Sequence, residues 1–203
     1  GLVGSEMCIR DRYKNNKNIG TATVKITGKG NYRGSVSKTF AIKAGKGKIY
    51  KVAQKGVPGY LKYKVTNAAS NGKGTVTLVG STSKKSDKKF KSLTVASSVK
   101  IGGVNFNVTA VGAKAFTGRK YLTTVVIGGN VKTIGGAAFS KCGKLGKVTI
   151  KSTRITTIGK NAFQGVKSNV KIYLPKKKYD AYAKKLKAKG MNTPKKAVYK
   201  KSK

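Results

Sequence analysis

The sequence of 203 residues has no histidine, no tryptophan and only four acidic residues: Glu6, Asp11, Asp87 and Asp180. Without histidine, no side chain has an ordinary pKa near neutral pH for a catalytic triad, a metal site or a proton shuttle. Paired-carboxylate hydrolysis needs two acids side by side, whereas the more plausible pair, Asp87 and Asp180, lies far apart in the chain. The two cysteines cannot build a cysteine-only zinc site. We therefore expect a protein that is not an enzyme and that holds no metal and no cofactor.

Long apolar runs and prolines are also scarce. No stretch approaches the length of a membrane-spanning helix, so we expect no transmembrane segment. With 26 glycines, 3 prolines and 38% hydrophobic residues, the composition favours a folded chain of short strands joined by tight turns. The start lacks an initiator methionine and a signal-like apolar stretch, and we expect a fragment of a longer protein.

Positive charge is what the sequence has in excess. Lysine and arginine number 46, which gives a formal net charge of +42. Such a charge opposes compaction through self-repulsion and favours anionic surroundings. Lysines are spread along every segment and no nucleic-acid-binding motif is present, so the pattern indicates nonspecific attraction to polyanions. The alternative is a lysine-rich habit of the source organism that has no function in this chain.

The N-terminal segment is expected to be foreign to the fold. Residues 1–12 show no periodicity and resemble a translated sequencing-adapter artefact, as found in gene predictions from assembled metagenomes. The alternative is a genuine flexible arm. With this segment set aside, Cys142 is the only remaining cysteine, so no internal disulfide is expected.

Residues 13–44 have the pattern of two strands. Apolar and polar residues alternate over 21–26, and 35–42 returns after a glycine-rich turn at 28–31. A phosphate-binding loop is the alternative for these glycines, but no Gly-Lys-Ser/Thr motif or helix pattern comes after them. Because two strands cannot bury a core, this piece is the end of a truncated β-sandwich or packs on the next segment of the chain. It resembles the final hairpin of the immunoglobulin-like repeats of bacterial surface proteins.

Residues 45–107 are predicted to form a small β region that leads into the next segment. Asn71-Gly72 and Gly102-Gly103 are hairpin turn signals, and Ser83–Lys91 is interpreted as the charged, solvated tip of a hairpin. The predicted strands are Tyr60–Val65, Gly74–Val79, Ser92–Val95 and Asn105–Val108.

Residues 108–174 contain an internal repeat. The pattern Ile/Val-Gly-x-x-Ala-Phe occurs three times, with Phe-to-Phe spacings of 23 and 24 residues. A period in the twenties indicates stacked units that share one core, each with a short strand and a brief helical or 3₁₀ segment around Ala-Phe. The third copy departs from the spacing and places its second apolar group at Val170, Ile172 and Leu174. The predicted core residues are Val111, Phe116, Leu122, Ile127, Ile134, Phe139, Cys142, Leu145, Ile150, Ile158, Phe163 and Ile172.

The pattern Ile-Gly-x-x-Ala-Phe, followed by Cys-x-x-Leu-x-x-Val-x-Ile, resembles the BspA-type leucine-rich repeat of bacterial cell-surface proteins. The resemblance implies a mainly β fold, a secreted or cell-surface location, and adhesion to host or cell-wall macromolecules. It also places Cys142 at the inward-facing cysteine position of the repeat. Together with the charge, it points to anionic partners such as teichoic acids, sialylated mucin or sulfated glycans. The alternatives are a nonspecific nucleic-acid-binding basic protein and a structural spacer of a larger surface protein.

Residues 175–190 are predicted to contain an amphipathic helix. Tyr179, Tyr182, Ala183 and Leu186 recur at spacings of three and four, and Gly190 is the expected C-cap. The helix is interpreted as a cap on the open end of the repeats, with a basic helix on a membrane surface as the alternative. The lysine-rich tail, 191–203, is expected to be disordered.

Overall fold

In a computed structural model of the chain, the described residues are 9–14, 20–28, 33–42, 44–68 and 74–202. They form three sheets and one short α-helix near the C-terminus, which confirms the prediction of a mainly β chain. The predicted turns at 28–31 and at Asn71-Gly72 lie largely outside these residues. The strands are β1 (Ile9–Lys14), β2 (Gly20–Gly28), β3 (Ser35–Ile42), β4 (Ile49–Ala53), β5 (Tyr60–Asn67), β6 (Gly74–Ser81), β7 (Ser92–Val95), β8 (Ser98–Ile101), β9 (Val104–Val111), β10 (Thr124–Ile127), β11 (Thr133–Ile134), β12 (Lys147–Ile150), β13 (Thr157–Ile158), β14 (Lys171–Leu174) and β15 (Val198–Lys201).

The first sheet is antiparallel, in the order β1-β2-β3. The predicted strand over 35–42 is confirmed, and β1 is an additional strand that includes part of the segment set aside as foreign. The foreign origin of that segment stays a prediction. The alternating apolar face is buried only in part: Ala22 is fully buried, whereas Ile26, Val36 and Phe40 remain 39%, 60% and 44% exposed.

The second sheet joins the small β region to the repeats without a break. Strands β4, β5 and β6 are antiparallel, and β6 then pairs in parallel with β9. Strand β9 pairs in parallel with β11, and β11 pairs in parallel with β13. The strands predicted within β5, β6 and β9 are confirmed, whereas β4 and β8 were not predicted. Gly102 and Gly103 have φ of 54° and 81° and join β8 to β9 as a two-residue hairpin turn, which confirms that turn signal.

The third sheet is wholly parallel, in the order β15-β14-β12-β10-β7. Each repeat contributes one strand to this sheet, and the chain therefore winds as a solenoid of stacked coils. The ladder begins at β7, before the first predicted repeat. The prediction of a hairpin tip at 83–91 is wrong, because this loop connects β6 of the second sheet to β7 of the third.

The interior of the coils holds a column of aromatic rings. Phe116 and Phe139 stack with their ring centroids 5.7 Å apart, and Phe139 and Phe163 with theirs 5.6 Å apart, each pair within 8° of parallel. Phe90 meets Phe116 edge-on at 6.2 Å. One hydrophobic cluster runs from Ala44 to Leu186 through this column. The β region and the coils therefore share one core.

The segments around Ala-Phe are turns, and the expected helical or 3₁₀ conformation is wrong. In each copy the residue two positions before the phenylalanine is left-handed, with φ between 53° and 60°, and so is the residue two positions after it. Such residues cannot continue a right-handed helix. The backbone amides instead bond to the next coil, as when Phe116 N–H donates to the carbonyl of Ala138 at 2.8 Å and Phe139 N–H to that of Ala162 at 2.9 Å.

The C-terminal helix α1 (Tyr179–Lys187) follows a 3₁₀ turn at Lys176–Lys178. Its side chains Tyr182, Ala183 and Leu186 are buried in the common core, so the apolar face that a membrane-surface helix would need is covered. The hydroxyl of Tyr182 accepts the backbone N–H of Ile155 at 2.8 Å and so fixes the helix to the last coil.

Two expectations for this end are wrong. The C-cap is Ala188, because the helix ends at Lys187; Gly190, with φ 83°, lies in the turn after it. The tail is not disordered over Val198–Lys201, since β15 pairs with β14 along its length. The backbone groups at the free edge of β14 pair with the tail, and a prediction from composition alone does not consider this edge.

Candidate functional site

The twelve predicted core residues face the interior of the coils. Eleven of them have no exposed surface, and Ile158 is half-buried against the same cluster. Their side chains therefore support the scaffold and are not accessible to a partner. The surface that a partner meets consists of the residues that alternate with them.

Cys142 lies buried beside the aromatic column. Its thiol donates a hydrogen bond to the carbonyl oxygen of Phe116 at 3.1 Å. Burial raises the pKa of the Cys142 thiol to about 11, so the thiol stays neutral at physiological pH. A neutral buried thiol is a poor nucleophile, and Cys142 acts in the structure as a small apolar side chain with one hydrogen bond.

The outward face of the third sheet carries two rows of side chains that run across the coils. They alternate with buried residues along each strand, and the rows contain lysines but no acid. The Lys147 ammonium nitrogen lies 5.4 Å from the centroid of the Tyr173 ring. In strand order the rows are Ser92, Thr124, Lys147, Lys171, Val198 and Thr94, Val126, Thr149, Tyr173, Lys200.

At one edge of this face, four lysines and one tyrosine line a cavity of about 690 Å³. We call it the lysine–tyrosine patch: Lys88, Lys89, Lys91, Tyr121 and Lys144. The Lys144 ammonium nitrogen lies 4.7 Å from the centroid of the Tyr121 ring. Both residues come directly before an inward-facing leucine of their repeat, so successive coils bring them side by side.

The order of the coils brings the loop before β7 to this patch. The carbonyl oxygen of Lys91 accepts the backbone N–H of Thr123 at 2.7 Å and its hydroxyl at 2.8 Å. Asp87, the acid in the same loop, accepts the backbone N–H of Lys89 at 2.9 Å. The backbone of the loop that bears these lysines is thus fixed to the coil that contains Tyr121.

Arg119 also fixes this loop, and the sequence pattern did not single it out. The side chain is only 5% exposed. One guanidinium nitrogen donates to the carbonyls of Ser83 at 2.8 Å and Lys84 at 2.7 Å, and the other donates to the Ser81 hydroxyl at 2.6 Å. The guanidinium carbon lies 5.0 Å from the centroid of the Phe90 ring. Burial lowers the pKa of Arg119 from its usual value.

A signal for Arg119 was present in the repeat. It stands three residues after Phe116, the position that Cys142 occupies after Phe139. An arginine at an inward-facing position requires buried acceptors, and the loop before β7 supplies them. The repeat alignment alone predicts the burial but does not show which loop provides the acceptors.

A second cavity of about 350 Å³ lies between the end of α1 and the segment before β15. Leu186, Pro194 and Tyr199 contribute to its wall, and the Lys187 ammonium nitrogen lies 5.1 Å from the centroid of the Tyr199 ring. The nearby hydroxyl of Thr193 is buried and has no hydrogen-bond partner. The wall also contains Asn192 and Lys195, so the cavity presents a mixed polar and apolar surface.

Two kinds of feature are absent from the described part of the chain. It contains no group of three or more His, Cys, Asp or Glu residues that could hold a metal ion. Within the same ranges, no helix is long and apolar enough to cross a membrane.

Several solved structures are similar to this chain. A leucine rich cell surface protein from Faecalibacterium prausnitzii is 27% identical with a TM-score of 0.42, over 57% of this chain and 28% of that one. A leucine-rich repeat protein from Bacteroides capillosus is 22% identical with a TM-score of 0.43, over 62% of this chain and 83% of that one. A leucine-rich repeat protein from Bacteroides ovatus is 20% identical with a TM-score of 0.39, over 56% and 34%. This chain thus spans less than two thirds of the length of the first and third of these relatives.

No curated protein matches the sequence. Residues 83–189, however, match the family model described as the BspA type leucine rich repeat region, in six copies. The matched range includes the loop before β7, the coils as far as β14 and the whole of α1. It covers more than half of the chain, and the resemblance found in the sequence is confirmed. The chain belongs to the family of BspA-type leucine-rich repeat proteins.

Proposed function

We propose that this chain is a non-enzymatic binding module of a secreted or cell-surface bacterial protein, which adheres to anionic macromolecules of the host or the cell wall. The observation that carries the proposal is a set of seven exposed lysines that share one side of the solenoid. They stand on the outward face of the third sheet, whose two rows contain no acid, and in the lysine–tyrosine patch, where Asp87 directly precedes Lys88. They are Lys88, Lys89, Lys91, Lys144, Lys147, Lys171 and Lys200.

The solenoid arranges these charges along one direction. Neighbouring strands of a sheet lie about 4.8 Å apart, so Lys147 and Lys171, which face each other across β12 and β14, repeat at about that distance. A linear polyanion that lies across the coils meets Lys147 and Lys171 in succession, with Lys200 on the next strand and the patch lysines at the edge of the face. Each exposed contact is weak and screened by salt, but the contacts add along the polymer.

The scaffold supports this arrangement because its backbone is fixed before binding. The stacked rings inside and the hydrogen bonds between coils hold each strand in register. Binding then orders lysine side chains but little backbone, which keeps the entropy loss small.

The test compares two double variants of equal charge in heparin binding across a salt series. Lys147→Ala with Lys171→Ala removes charge from the outward face, and Lys132→Ala with Lys160→Ala removes two exposed lysines from the second-sheet side of the coils. We expect the first variant to bind more weakly and with a smaller salt dependence, and the second to remain close to the parent chain. Equal losses in both variants, or an affinity that does not change from low to physiological salt, would refute the proposal.

The same series with duplex DNA separates the proposal from a nucleic-acid-binding protein. A surface module that takes polyanions by charge is expected to show no preference for DNA over a sulfated glycan. A clear preference for DNA in a retardation assay contradicts the proposed function.

A further inference from the structure

We infer that the lysine–tyrosine patch is a subsite for one acidic sugar ring, sulfated or carboxylated, of an anionic glycan. The inference rests on the proposed function and deepens it, because it separates glycans from polyanions that have no sugar ring. Three features of the patch carry it: its concave shape, its aromatic ring and the fixed backbone that bears its lysines.

The patch is concave, whereas the rest of the lysine-bearing surface is the flat outer face of a sheet. Its volume of about 690 Å³ lies within the range of ligand-binding clefts, which runs from about 300 to 1,000 Å³. Lys147 and Lys171, in contrast, stand on the outer face of the third sheet. An open depression of this size has room for a single ring, whereas the flat face offers a polymer no recess.

The aromatic ring of Tyr121 forms one wall of the patch. A site that attracts its ligand by charge alone does not require such a ring. The side chain is half-buried, so its ring is held in place while part of it reaches the surface. Aromatic rings pack against apolar groups, and the tyrosine hydroxyl adds a polar end. A sugar ring has C–H groups on its faces and polar substituents around its rim, and it fits this combination. A polymer of phosphate groups alone gains nothing from the aromatic ring.

The lysines supply charge around the rim of the cleft. Lys88, Lys89 and Lys91 come from one loop and Lys144 from a later coil, so they approach from different sides. Lysine ammonium groups act as point charges without the planar geometry of arginine, and they suit acidic groups that are spread around a ring. The hydrogen bonds of Lys91 to Thr123 and of Arg119 to the loop hold the two sides together.

The experiment measures binding of the full chain to two probes, a heparin oligosaccharide and inorganic polyphosphate of similar charge. Tyr121→Ser removes the ring, Tyr121→Phe keeps it, and Tyr60→Ser removes a ring that is 50% exposed on β5, in the second sheet. We expect Tyr121→Ser to lose about fivefold in heparin affinity with polyphosphate affinity unchanged. Tyr121→Phe and Tyr60→Ser are expected to bind both probes as the parent does, and melting curves check that all variants fold.

The outcomes separate this inference from the proposed function. If Tyr121→Ser leaves heparin affinity unchanged, or lowers both affinities equally, the sugar subsite is overturned while charge-driven binding stands. If Tyr121→Phe loses as much heparin affinity as Tyr121→Ser, the role of the ring is likewise overturned. If the parent chain binds neither probe, the proposed function itself fails.

Discussion

The aromatic column inside the coils makes a prediction about stability that can be worked out position by position. Phe139 is fully buried and has a stacked ring on each side, Phe116 and Phe163. Phe163 is equally buried, and Phe139 is the one ring that stacks on it in the described part of the chain. Truncating either to alanine removes the same atoms but a different number of ring contacts.

Truncation of a buried phenylalanine lowers the free energy of unfolding by about 3–5 kcal/mol. An aromatic pair contributes about 1 kcal/mol beyond the area that it buries. We therefore expect Phe163→Ala to lower the free energy of unfolding by about 3 kcal/mol and Phe139→Ala by about 4 kcal/mol. The difference of about 1 kcal/mol isolates the second stacked ring.

Urea unfolding followed by circular dichroism measures both values, and the chain has no tryptophan for fluorescence. The slope of the free energy against urea must stay the same for the two variants if they are to be compared. A smaller loss for Phe139→Ala than for Phe163→Ala, or losses below about 1 kcal/mol for both, would contradict a continuous stacked core.

Three further predictions concern the repeat. Lys141→Gly is expected to raise the free energy of unfolding by about 1 kcal/mol, because its φ of 58° is left-handed and two other copies carry glycine there; urea unfolding checks this, and a loss of stability would refute it. Gly159→Ala is expected to destabilise the chain by more than about 1 kcal/mol, because a Cβ atom there would clash with the backbone of Gly136; an unchanged melting temperature would argue against the close approach. Since burial raises the folded-state pKa of Cys142 from 9.0 to about 11, its contribution to stability is present below pH 9 and is lost as the pH rises through 11. The difference in the free energy of unfolding between Cys8→Ser and the double variant Cys8→Ser with Cys142→Ala measures this contribution. If both variants lose the same free energy of unfolding between pH 9 and 11, burial of a neutral Cys142 thiol is refuted.

The stacked core was predictable because its signal is local and repeated. Each copy places the same apolar residues at the same spacing, so the sequence alone predicts that Phe116, Phe139 and Phe163 face the interior. The start of the stack was not predictable in this way. The coil that contains β7 has Phe90 where the next two coils have leucine, and nothing in its alternation indicates which sheet it joins.

The remaining errors have a common physical cause, which is that the deciding partner lies far away in the sequence. The tail was judged by its lysine content, yet β15 forms because β14 offers it an edge. The Ala-Phe segments were expected to be helical, yet their amides bond to the next coil. The lysine-rich surface followed from composition, whereas the cleft at Tyr121 depends on the register that brings three loop lysines and Lys144 to it.

The second sheet passes from the small β region into the coils through the parallel pair of β6 and β9. A joint of this kind does not swivel as a flexible linker does, because its ladder of hydrogen bonds and its shared core fix both sides. A force applied to the coils along the strand direction is carried by that ladder into the preceding strands. Several bonds strained in parallel must then break at once, so this joint resists tension better than bonds that open one after another.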